Sequence, residues 1–156
     1  MKLFIPTSSL NFNNIMSCES ISPFAFYLQR NFGYKTFEKV ELNNFNNSLL
    51  LFEAFPGFQI PKSELVNYPM VIKVDIDSEY EGLKKLQNGI WQIDRTVYLN
   101  PFSSRIYFYT AEHKRTILSR SDSSAETKLV NLYMNNIEVF QGEMQEYNLN
   151  AISDLP

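Results

Sequence analysis

From Met70 to Asp77, apolar and polar side chains alternate. Met70, Ile72, Val74 and Ile76 fall on one side, and Lys73, Asp75 and Asp77 fall on the other, with Val71 the exception. Successive side chains of a strand point to opposite faces, so a period of two specifies an extended segment with one buried face. Upstream, residues 48–55 (SLLLFEAF) are apolar almost throughout, which suits a central strand covered on both faces. The two stretches together require a sheet, and the rest of the chain has to supply the layers that cover it.

Further strands are expected at Leu3–Ile5, closed by Pro6, at 36–42, at 90–99 and at 105–109. Thr7, Ser8 and Ser9 offer caps for a short helix through Asn14 to Met16. Ser22, Pro23 and Gly33 bracket a second helix, in which Phe24, Leu28 and Phe32 form the apolar face and Arg30 turns away from it. Ser78 and Glu81 form an S-x-x-E box, which predicts a helix with Tyr80, Leu83 and Leu86 on one side, Glu81 paired to Lys85, and an end at Asn88-Gly89. The stretch 105–140 reads as strand, short helix capped by Thr110, serine-rich break, second helix to about Met134, then strand.

Strands 36–42 with 48–55 and 90–99 with 105–109 resemble hairpins. The expected class is therefore α+β, with a mixed, largely antiparallel sheet of about six or seven strands and three to four helices. A length of 156 residues suits one globular domain over 1–142. From Glu138 onward the chain carries four carboxylates and no Lys or Arg, so 143–156 reads as an acidic tail or the start of a linker.

Composition removes several function classes. With 13 Phe and 9 Tyr, bulky rings dominate the core. A net charge of −3 argues against general electrostatic attachment to nucleic acid or anionic membranes. No apolar run reaches the ~18 residues of a membrane span. The single Cys18 cannot form an internal disulfide, and the opening MKLFIPTSS lacks a signal-peptide core, so the expected location is the cytoplasm. One His and one Cys leave no ligand pair for structural zinc, and neither a phosphate-loop pattern nor a G-x-S-x-G elbow occurs. No metal site is expected.

Two features carry chemistry. Arg105, Lys114, Arg115, Arg120 and Lys128 face only Glu112, Asp122 and Glu126 within 105–128, an excess of cations interleaved with Tyr107, Tyr109 and serines. Arg105, Lys114, Arg115 and Arg120 are the candidate phosphate or nucleic-acid contacts. Wound as a helix, 125–134 places Glu126 inside the apolar arc of Ala125, Leu129, Val130, Leu132 and Tyr133, where a partly desolvated carboxylate either answers the helix dipole and pairs with a nearby Arg or stands as a poised catalytic acid.

The opening FIPTSSLNFNNIMSCESISP, with Thr7, Ile15, Ile21 and Pro23 at its marked positions, resembles the first strand and helix of ADP-ribosyltransferase-like proteins of the toxin and phage-defence kind. The resemblance implies an NAD cofactor held near Thr7, Arg30 and Tyr34, and a late catalytic glutamate, Glu126. The strand position that in that family grips the ligand with His or Arg carries Phe4, Ile5 and Pro6 here. The reading taken forward is a recognition or regulatory module, forming the N-terminal part of a larger bacterial, defence-related protein and contacting a protein partner or further domains of the same chain. The alternatives are an NAD-using ADP-ribosyltransferase-like enzyme and a domain that binds nucleic-acid ends or phosphate.

Overall fold

A computed structural model describes residues 1–23, 25–26, 47–57, 68–120 and 131–148. The fold is α+β. Its main sheet has seven strands: β1 (Lys2–Ser8), β3 (Leu49–Phe52), β4 (Pro69–Asp75), β5 (Leu83–Gln87), β6 (Ile90–Ile93), β8 (Arg105–Phe108) and β9 (Ile137–Val139). They lie in the order β5-β6-β3-β1-β4-β8-β9, and every neighbouring pair is antiparallel except β8 with β9. A second sheet of two strands joins β2 (Ser20–Ile21) to β7 (Val97–Tyr98).

The period-two strand behaves as its pattern dictates. Met70, Ile72 and Val74 of β4 are buried in the large core beneath one face of the sheet. That core also takes Leu3 and Ile5 from β1, Leu49 and Leu51 from β3, and Ile106 and Phe108 from β8. The other face carries a smaller cluster of Leu50, Phe52 and Ile90 with Phe4, Leu86 and Tyr147. All four residues of β3 are buried, as their unbroken apolar run predicts.

β1 runs past Pro6, where the sequence suggested a stop. It pairs with β4 along seven positions, from Lys2↔Asp75 to Ser8↔Pro69, and Pro6 sits opposite Val71. A residue without an N–H is tolerated where a neighbouring strand has fallen away. β3 registers with β1 at Phe4↔Phe52, two residues short of Pro6.

The helix expected from Ser78 is instead a hairpin. Leu83–Gln87 folds back on Ile90–Ile93 through Asn88-Gly89, the dipeptide that most favours a two-residue hairpin turn. Gly82 and Gly89 take φ values of 89° and 77°, and the first interrupts any helix that Ser78 would start. Leu83 reaches the large core while Leu86 joins the cluster on the opposite face, so their three-residue spacing serves two surfaces and not one stripe. Glu81 pairs with Arg95 at 2.5 Å, and Lys85 pairs with Glu53 at 3.4 Å.

Residues 90–99 and 105–109 do not form a hairpin either. β6 lies between β5 and β3, whereas Val97–Tyr98 leaves for the small sheet, where Leu99 N–H donates to the Glu19 carbonyl at 2.8 Å. The proposed strand at 36–42 lies outside the described residues.

The described helices are short. A 3₁₀ turn, Ser9–Asn11, capped by Ser8, leads into α1 (Phe12–Cys18), which buries Phe12, Ile15 and Met16 at helical spacing. α2 (Ala111–Ser119) starts at Thr110, whose Oγ1 accepts from His113 N–H at 3.1 Å, and it buries Ile117. A 3₁₀ turn, Met134–Asn136, leads into β9, and Tyr133 just before it is fully buried. Residues 143–148 are largely exposed, yet they are tied to the body: Gln145 N–H donates to Phe55 O, and Tyr147 Oη accepts from Ala54 N–H. Among the described residues no helix is long and apolar enough to cross a membrane.

Candidate functional site

Residues His113, Ile117 and Arg120 follow one another at helical spacing, so they form one stripe of α2. Across from this stripe lie Ser9, Leu10 and Asn13, from the 3₁₀ turn and the start of α1. Ser9, Leu10, Asn13, Ile117 and Arg120 enclose a cleft of about 150 Å³. Tyr68 braces Ser9 of this lining and His113 beside it. Its N–H donates to Ser9 Oγ at 2.9 Å, its carbonyl accepts from Ser9 N–H at 2.8 Å, and its ring stacks on His113 with centroids 4.0 Å apart. Burial holds the His113 imidazole below its ordinary pKa, opposed by the nearby Glu112 carboxylate. Its Nδ1 is buried and has no hydrogen-bond partner among the described residues.

A second surface gathers at the end formed by β2, β7 and the 131–136 segment. Asn100 Oδ1 accepts from Phe102 N–H at 2.8 Å, Asn100 O accepts from Ser104 N–H at 2.8 Å, and Ser104 Oγ accepts from Asn100 N–H at 2.9 Å. These bonds lock a turn whose tip, Phe102, is 89% exposed. Asn136 Nδ2 donates to Pro101 O and holds the turn against the segment before β9. Tyr133 Oη donates to Glu19 Oε1 at 3.1 Å, and Ser20 pairs with Tyr98. On the segments that these bonds tie together, Tyr98, Leu132 and Met134 are 72%, 53% and 43% exposed. The sequence signal for this surface was present in N-P-F-S-S: a phenylalanine inside a turn made of turn-forming polar residues has no core to enter.

The cations proposed from sequence do not form one surface. Arg105 lies across from Lys73 on the sheet face opposite to Ile106, whereas α2 sits on the Ile106 side, where Ile117 joins the core. The Arg105 guanidinium is occupied internally, donating to Asn136 Oδ1 at 2.9 Å, Glu138 Oε1 at 3.0 Å and Asn135 O at 3.2 Å. Lys114 and Arg115 are on α2, Arg115 on its exposed side, and Arg120 follows at its C-terminal cap. Thr7 is 1% exposed, and its Oγ1 accepts from Asn11 Nδ2 at 3.0 Å. Arg30, Tyr34 and Glu126 lie outside the described residues.

Elsewhere, Trp91 Nε1–H donates to Glu53 Oε1 at 2.7 Å. That bond, with the Lys85 ammonium beside it, keeps the Glu53 carboxyl below its usual range. Among the described residues no group of three His, Cys, Asp or Glu side chains is arranged to hold a metal ion. Compared with protein-family models, curated proteins and solved structures, the chain matches none of them.

Proposed function

We propose that this chain is a protein-recognition module whose contact surface is the end displaying Phe102, Tyr98, Leu132 and Met134. The observation that carries the reading is the exposure of Phe102 on a turn already fixed by its own hydrogen bonds. Aromatic side chains that fill a partner's pocket dominate interface energetics, and truncating such an anchor commonly costs 2 kcal/mol or more. A turn that is ordered beforehand spares the ~0.5–1.5 kcal/mol needed to immobilise each contact side chain. The apolar end fits another protein, or another domain of the same polypeptide, better than a polyanion.

Replacing Phe102 with a photo-crosslinking phenylalanine analogue tests this in cells. A discrete crosslinked species is expected from position 102 and not from exposed Lys84. With the analogue moved to Tyr98, Phe102→Ser should abolish the crosslink without lowering the melting temperature. Crosslinking that is diffuse, or equal at both positions, counts against the reading. The enzymatic alternative is separated by a different measurement, since transfer of labelled ADP-ribose from NAD that is lost in Glu126→Gln would replace recognition with catalysis.

A further inference from the structure

The cleft between α2 and the 3₁₀ turn is independent of the Phe102 end, and its chemistry is specific. Its floor is apolar, made by Leu10 and the buried Ile117. Its polar wall offers hydrogen-bond donors from three side chains, beside the acceptor oxygen of the Asn13 amide. Ser9, 5% exposed, uses its Oγ to accept from Tyr68 N–H, which leaves its hydroxyl proton to donate. The Asn13 amide and the Arg120 guanidinium make no side-chain hydrogen bond or ion pair among the described residues, and both line the cleft. Arg120 is the one charged residue among the described residues of the lining.

An acceptor with a single negative charge balances that wall, and a short apolar body suits the floor. A guanidinium fork matches the two oxygens of a carboxylate in a bidentate pair. A phosphate dianion would bring a second charge that no described lining residue offsets, and an ammonium group would be repelled by the Arg120 guanidinium. At about 30 Å³ per water, the volume equals roughly five waters, so the occupant is small or is the end of something larger. We infer that the cleft is a binding site for a compact monocarboxylate with an apolar body, gripped by Arg120, Asn13 and Ser9 over Leu10 and Ile117.

Butyrate is the probe, with butyramide as its neutral counterpart and inorganic phosphate as the competing anion, each titrated into the full chain while backbone amide shifts are followed by NMR. Saturable shifts at Leu10, Asn13, Ile117 and Arg120 are expected with butyrate, at a Kd on the order of millimolar for so few atoms. Arg120→Gln should weaken butyrate at least about tenfold at unchanged melting temperature, and Leu10→Trp should block the cleft. Phe102→Ser should leave the butyrate response intact, which keeps this site separate from the recognition surface. Butyramide binding as well as butyrate, phosphate binding more tightly, an unchanged response in Arg120→Gln, or no saturable shift would each overturn the assignment.

Discussion

Glu19 stands at the end of α1 with a φ of 47°, the left-handed region that usually falls to glycine at this position. Its side chain accepts from buried Tyr133, and its carbonyl accepts from Leu99 N–H, so one residue joins three segments. Tyr133→Phe keeps the ring but removes the donor, and it should cost about 1–2 kcal/mol in urea unfolding. Tyr133→Ala should cost about 3–5 kcal/mol. Equal losses would show that the hydroxyl carries the contribution and the ring does not. His113 titrates with the opposite sign from a salt-bridged histidine. Burial lowers its pKa in the folded chain, so it favours the neutral imidazole stacked on Tyr68. The stability it contributes is whole above the unfolded pKa of about 6.5 and is lost as pH falls through the lower folded value. Because it is the only histidine, its ring protons report alone. An NMR titration midpoint below about 6.5 is expected, and one above it would contradict the stack. The cap at Thr110 and the place of His113 in the first turn were readable from sequence, but the partner ring was not. Tyr68 arrives from a strand start far upstream, and no local pattern encodes that meeting.

At the scale of elements, the sequence was most legible where one period served one surface. β4 and β3 followed their apolar patterns because each had a single environment per face. β5 reads as a helix, though β6 reads correctly as a strand, because Leu83 and Leu86 bury into opposite faces and their spacing then imitates a helical stripe. The decisive local signal was Asn88-Gly89, which ends a helix or turns a hairpin with equal fluency, so the choice fell to tertiary pairing with β3. Gly89→Ala should therefore destabilise the fold by about 1 kcal/mol or more. A side chain there is strained at φ 77°, and its Cβ meets the Tyr147 ring at 3.2 Å. A fall in the denaturation midpoint checks it.

Over the whole molecule, the fold class was legible and the topology was not, because strand order depends on which apolar faces meet and no residue pattern records it. β1 lies between β3 and β4, so Ile5 is buried where the sheet is widest. Ile5→Ala should cost about 2–5 kcal/mol. The same placement has a kinetic consequence. Phe4 has to wait for Phe52, and Lys2 for Asp75, before the middle of the sheet exists. Long loops must close before any pairing repays their entropy, so refolding should relax over milliseconds to seconds, and not in the microseconds of a helical bundle. Trp91, the only tryptophan, sits in β6 and reports that step by fluorescence. Until it is complete, β1 and β3 present open edges to other chains, and crowding during synthesis, more than weak native contacts, would limit the yield of folded protein.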